Sequence, residues 1–164
     1  MPAQNIIADL EYLLSLHREL FEKAKLKTEI LKVNNVSALK EIVNDERNYF
    51  KIINLKQKEL LEHARGFLQH QSIANEIPTL RDCIYAANEQ DRQTLTALQT
   101  ELIETVSLLK QQNDLNQLLL EQSLELVQIS IDLLTPDLDT YNYERPDRHQ
   151  QYEQLGRSLF DSNA

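Results

Sequence analysis

No glycine or proline stands between Pro78 and Pro136, and across most of that stretch apolar residues recur at alternating steps of three and four. From about Gln93 the series reads Leu95, Leu98, Leu102, Val106, Leu109, Asn113, Asn116, Leu120, Leu124, Val127, Ile131, Leu134. A strand would place apolar residues at every second position. A period near 3.5 instead lines them along one side of a helix, as in a coiled coil. At 1.5 Å per residue a helix over 93–134 is roughly 60 Å long. Pro136 ends it, because proline lacks the amide proton a helix interior needs.

The same grammar holds upstream. Ile6, Leu10, Leu13, His17, Leu20, Ala24, Lys27 and Leu31 form a first seam, broadened by Ile7, Leu14 and Phe21. Asn34-Asn35 marks its end, since asparagine tolerates turn conformations. Ser37 is a candidate N-cap for a second helix, whose seam is Leu39, Val43, Glu46, Phe50, Ile53, Gln57, Leu60, Ala64 and Phe67. The short connection predicts an antiparallel hairpin over 3–71. Gly66 weakens the end of the second helix, and 72–78 reads as the next connection. Thr79 and Asp82 have the spacing of a capping box and open a short helix over 79–88. The polar run Asn88–Asp91 is either a break or a turn of one continuing helix. The fold expected is all-α: an elongated, antiparallel, coiled-coil-like bundle of three main helices over 1–134. Residues 135–164 have no sustained seam and read as a flexible tail, with a short helix around 150–160 carrying Leu155, Leu159 and Phe160.

Composition removes several classes of function. The whole chain has two glycines, so a glycine-rich phosphate loop is physically implausible, and no nucleophile-elbow or paired-histidine zinc motif is present. The net charge of −9 argues against nucleic acid, which requires a basic footprint. That charge is uneven: residues 1–65 carry 11 Lys/Arg against 10 Asp/Glu, whereas 66–134 carry 3 against 10. An acidic half keeps a long helix soluble or orients a partner with basic groups. Cys83 is the only cysteine, which rules out an internal disulfide and fits a reducing compartment. Asp9 and Glu11 interrupt any signal-peptide pattern, and no apolar run approaches the length of a membrane span. Glu59 and His63 are i, i+4 on one helix, only a fragment of the ligand set of a di-metal bundle. His17 on an apolar seam is the environment of a packed core histidine; a phosphotransfer role would fall on His17 or His70. The expectation is a cytoplasmic binding protein, not an enzyme, with neither metal nor cofactor.

Asn113 and Asn116 occupy two successive seam positions in the middle of the longest helix. A buried amide costs stability unless it is paired, and in return it fixes register or oligomeric state. Two readings follow: a register lock, or a polar gap beside an apolar docking face made by Leu119, Leu120, Leu124, Val127 and Ile131. Faces of this i, i+3, i+4, i+7 type take partner helices.

The run Asn113-x-x-Asn116-x-x-Leu119-Leu120-Glu121, the helix reaching Leu133-Leu134, the proline at 136 and the tyrosines beyond it resemble the C-terminal half of the FlgN family. The hairpin, with Glu46 in its second seam and Arg65 near its end, is similar to that family's N-terminal half. The resemblance implies a cytoplasmic chaperone of flagellar type III protein export. Its clients would be the hook–filament junction proteins FlgK and FlgL, and FlhA would be its docking protein at the export gate. The implied substrate surface is Leu119, Leu120, Leu124, Val127, Ile131 and Leu134 together with the tail. The family's gate-docking tyrosine would fall on Tyr143 or Tyr141. A glycine often follows that tyrosine closely in the family pattern, whereas here Glu144-Arg145-Pro146 intervene and the next glycine is Gly156. The alternative is a structural or adaptor coiled coil that acts by self-association, since a heptad seam closes equally well within one chain or in a homo-oligomer.

Overall fold

The computed structural model describes residues 2–73 and 77–134. Four helices follow one another, with no strand among the described residues: α1 Pro2–Lys32, α2 Val36–His70, α3 Leu80–Ala86 and α4 Glu89–Leu134. The helices pack on one another, so the all-α expectation holds. The chain divides into two compact units, Met1–Glu121 and Gln122–Ala164.

The turn between α1 and α2 is made by asparagines. Asn34 adopts a left-handed φ of 53°. Its amide donates to the Leu31 carbonyl, and the Asn35 amide donates to that of Ile30. This pair of bonds is the Schellman ending. Asn35 then serves the next helix, its side chain accepting from the Ala38 amide at 3.0 Å. The cap of α2 is therefore Asn35 and not Ser37, which lies inside the first turn. The same ending recurs after α2, where Ser72 takes φ 59° and the Ile73 amide reaches back to the Leu68 carbonyl.

The expected capping box is present: Thr79 accepts from the Asp82 amide and Asp82 from the Thr79 amide. Asn88 breaks the chain between α3 and α4. Its side chain accepts from the Asp91 amide at 2.9 Å, so α4 begins at Glu89, four residues before the expected start. Arg92 reinforces the corner by donating to the Ile84, Tyr85 and Ala87 carbonyls, which the end of α3 leaves without intrahelical partners.

Pairing across helices fixes the topology of the first unit. The later a residue lies in α1, the earlier its partner lies in α2: Asp9 with Lys56, Lys27 with Glu46. These two helices are antiparallel. Between α1 and α4 partners advance together, Arg18 with Glu101 and Thr28 with Asn116, so α4 runs parallel to α1. One core cluster joins Ile6, Leu10, Phe67, Leu68, Cys83 and Leu95; a second joins Leu13, Leu20, Ala24, Ile53 and Leu109. The α1 seam lies between its neighbours. The seams of α2 and α4 are only partly covered: Phe50 is 50% exposed and Leu120 42% exposed.

Asp9 is buried, which periodicity alone does not indicate. Lys56 Nζ stands 2.9 Å from its carboxylate, and His63 Nδ1 donates to the other oxygen. Hydrogen bonds to Glu59 and Asp9 raise the pKa of the Lys56 ammonium.

Candidate partner-binding site

The two seam asparagines of α4 sit in different surroundings. Asn116 is 3% exposed. Its Nδ2 donates to the Ala24 carbonyl at 2.8 Å, and its Oδ1 accepts from the Thr28 hydroxyl. That hydroxyl in turn accepts from Gln112 Nε2 at 2.6 Å. Thr28 has a single proton, so the chain Gln112→Thr28→Asn116→Ala24 satisfies each group once. The Asn116 amide thus joins α4 to α1 and fixes their register.

Asn113, one turn earlier, is partly buried. Its Oδ1 is shielded from solvent and has no hydrogen-bond partner among the described residues. It lines a groove of about 290 Å³ in the first unit, with Leu39, Val43 and Phe50 from α2 and Leu109 and Leu120 from α4. Lys27 and Glu46 also line it, and Lys27 Nζ lies 2.8 Å from each Glu46 oxygen. Leu119, named with Leu120 from the sequence, is partly buried.

The second unit is described over 122–134. There Leu124, Val127, Ile131 and Leu134 are exposed, between 48% and 83%. These four follow one seam of the helix. Leu126, Ile129 and Leu133 lie on other sides of the same segment and are exposed as well. Glu125, Gln128 and Asp132 hold the one polar face of this segment, and so wide an apolar face is stable where something covers it. The signal was available in the 3–4 steps Leu126, Ile129, Leu133, which run beside the first seam. Tyr141, Tyr143, Leu155, Leu159 and Phe160 lie outside the described residues.

Among the described residues no three His, Cys, Asp or Glu side chains are grouped to hold a metal ion. His17 Nδ1 donates to the Leu13 carbonyl at 2.7 Å, the arrangement of a packed histidine. No described helix is long and apolar enough to cross a membrane.

The FlgN protein family matches residues 1–151. The chain is 28% identical over 164 residues, end to end in both proteins, to a Bacillus subtilis (strain 168) protein described as "Uncharacterized protein YvyG". No solved structure matches it. With the family match running through all four helices, the chain belongs to the FlgN family.

Proposed function

We propose that the chain is a cytoplasmic flagellar export chaperone that captures the hook–filament junction proteins FlgK and FlgL, keeps them from assembling early and delivers them to FlhA at the export gate. Its family is one of flagellar export chaperones, the named clients and gate protein are those the resemblance to that family implies, and the capture surface rests on one observation. Residues 124–134 present seven exposed apolar side chains around one helix: Leu124, Leu126, Val127, Ile129, Ile131, Leu133 and Leu134. Burying each contributes about 1.5–3 kcal/mol, against an association cost of about 4–15 kcal/mol. Covering one or two of them therefore does not offset the cost of association, and capture requires covering most of them.

Junction proteins that assemble through helical ends need those ends shielded before export. An apolar helix supplies the shield, and no nucleotide or metal takes part in binding. Ordering a segment on capture costs conformational entropy, which limits affinity and favours release at the gate. In this reading Tyr141 or Tyr143 contacts the gate, while Leu155, Leu159 and Phe160 add to the client surface.

Light scattering of the full chain, alone and with purified FlgK or FlgL, tests the proposal. A discrete chaperone–client complex is expected. Concentration-dependent growth of the protein alone, with no complex on adding either client, would support a self-associating coiled coil instead.

A further inference from the structure

Five cations of α2 stand in one line. Lys40, Arg47, Lys51, Lys58 and Arg65 are spaced by seven, four, seven and seven residues. At 3.6 residues per turn that spacing keeps all of them within about 40° around the helix axis. Each is exposed, and the line runs opposite the buried side of α2, formed by Ile42, Ile53, Ala64 and Phe67. Elsewhere on α1 and α2 the cations are engaged: Arg18, Lys23, Lys25, Lys27, Lys32 and Lys56 each hold a carboxylate. The five of the line are the remaining Lys and Arg of these two helices, and none of them is in an ion pair among the described residues. Glu62 lies one turn from Lys58 and from Arg65 and tempers that end. At the centre, Arg47 and Lys51 are like charges at i, i+4, a placement that repels.

The chain itself contains the counterpart. In the sequence of α4, Asp114, Glu121, Glu125 and Asp132 are spaced by seven, four and seven, as are Lys40, Arg47, Lys51 and Lys58. All four acids are exposed, and no ion pair engages them among the described residues. Glu121 and Asp132 accept from the neutral amides of Gln117 and Gln128, which leave their charge in place. No Lys or Arg lies between Lys110 and Leu134. Glu121 and Glu125 form a like-charge pair at i, i+4, the mirror of Arg47 and Lys51. Seven, four, seven reads the same in both directions, so each charge meets its opposite whether two such helices run parallel or antiparallel. Charges at heptad spacing set partner choice between helices, whereas a lipid surface would take cations at any spacing. We infer that the basic line of α2 pairs with the acidic series on α4 of a second copy of this chain. Exposed ion pairs contribute little one by one. Exposed apolar residues interleave both series and add burial, Leu55 and Leu61 on α2, Leu118 and Ile129 on α4. The pairing goes beyond the capture of clients and does not depend on it.

Sedimentation equilibrium of the full chain at low ionic strength tests it, with the average mass followed against concentration. The wild type is expected to self-associate. Arg47→Glu with Lys51→Glu reverses the centre of the basic line, and Glu121→Arg with Glu125→Lys reverses the centre of the acidic series. Either reversal is expected to raise the self-dissociation constant by about tenfold, as two attractions become repulsions. The second reversal makes the chain less acidic, so relief of general repulsion would act in the opposite sense. All four substitutions together are expected to return the constant to within about threefold of wild type, because the coupled charges are restored. An equimolar mixture of the two reversals should associate where each alone does not.

A wild type that stays monomeric at every concentration overturns the inference. So does association that Glu121→Arg with Glu125→Lys leaves unchanged or strengthens, or a fourfold variant that does not re-associate. Co-sedimentation with phosphatidylglycerol vesicles covers the other source of anions. Vesicle binding abolished by Arg47→Glu with Lys51→Glu, in a chain whose self-association neither reversal alters, would assign the line to a lipid surface and overturn the pairing. Clients are absent from all of these measurements, so failure of the pairing and failure of FlgK or FlgL capture are told apart.

Discussion

Asn116 places a polar side chain at a seam position where leucine would ordinarily pack, and it is stable there because Ala24 and Thr28 of α1 meet both ends of its amide. Asn116→Ala removes the bonds that join α4 to Ala24 and Thr28, while the Thr28 hydroxyl still reaches the Ala24 carbonyl at 3.1 Å, so the loss is that of net hydrogen bonds, about 0.5–1.5 kcal/mol each. Thermal melting followed by circular dichroism should show the lower midpoint, whereas an unchanged midpoint would mean that water replaces the amide. Cys83 gives a pH test. Burial pushes its thiol up to about 11, with nearby Asp82 adding to the shift. The unfolded thiol titrates near 8.5, so above that pH the unfolded chain releases a proton that the folded chain keeps. Stability therefore falls as pH rises from about 8.5 towards 11. The neutral-side advantage is fully present below the unfolded value. In Cys83→Ala this part of the decline should vanish, and comparing the two proteins between about pH 8.5 and 10 isolates the thiol from Lys56 and Tyr49, whose pKa values are also raised.

Among the helices, the ends carry the clearest consequences. Ser72 holds a left-handed φ of 59°, a conformation that costs a non-glycine residue about 1–2 kcal/mol. Ser72→Gly should stabilise the protein by about 1 kcal/mol, read as a higher urea midpoint with unchanged slope. Gly66 lies inside α2, and a Cβ added there meets nothing within 4 Å. Gly66→Ala should add about 0.5–1 kcal/mol. Much of this level was legible in the sequence. The seams of α1, α2 and α4 follow from spacing, and the Thr79–Asp82 box follows from capping chemistry. The start of α2 is not decided by local chemistry, because Asn35 and Ser37 are both good caps and only the Schellman turn at Asn34 selects Asn35. Burial of Asp9 was not legible at all. Its partners, Lys56 and His63, lie on another helix, and nothing local marks a carboxylate that will find them.

For the molecule as a whole, periodicity reveals that a face is apolar but not what covers it. Leu95 and Leu109 are buried in the first unit, whereas Leu124 and Val127 on the same seam are exposed. The four residues have the same chemistry, so only packing tells core from surface. That distinction carries the functional reading, because the uncovered residues are the ones available to a client. Calorimetric titration of purified FlgK or FlgL with wild-type protein and with Leu124→Asp tests this most directly. A carboxylate at an exposed position should leave helicity and melting unchanged while weakening capture at least tenfold, about 1.4 kcal/mol. Equal affinity of the two proteins for both clients would show that the exposed helix of residues 124–134 is not where clients bind.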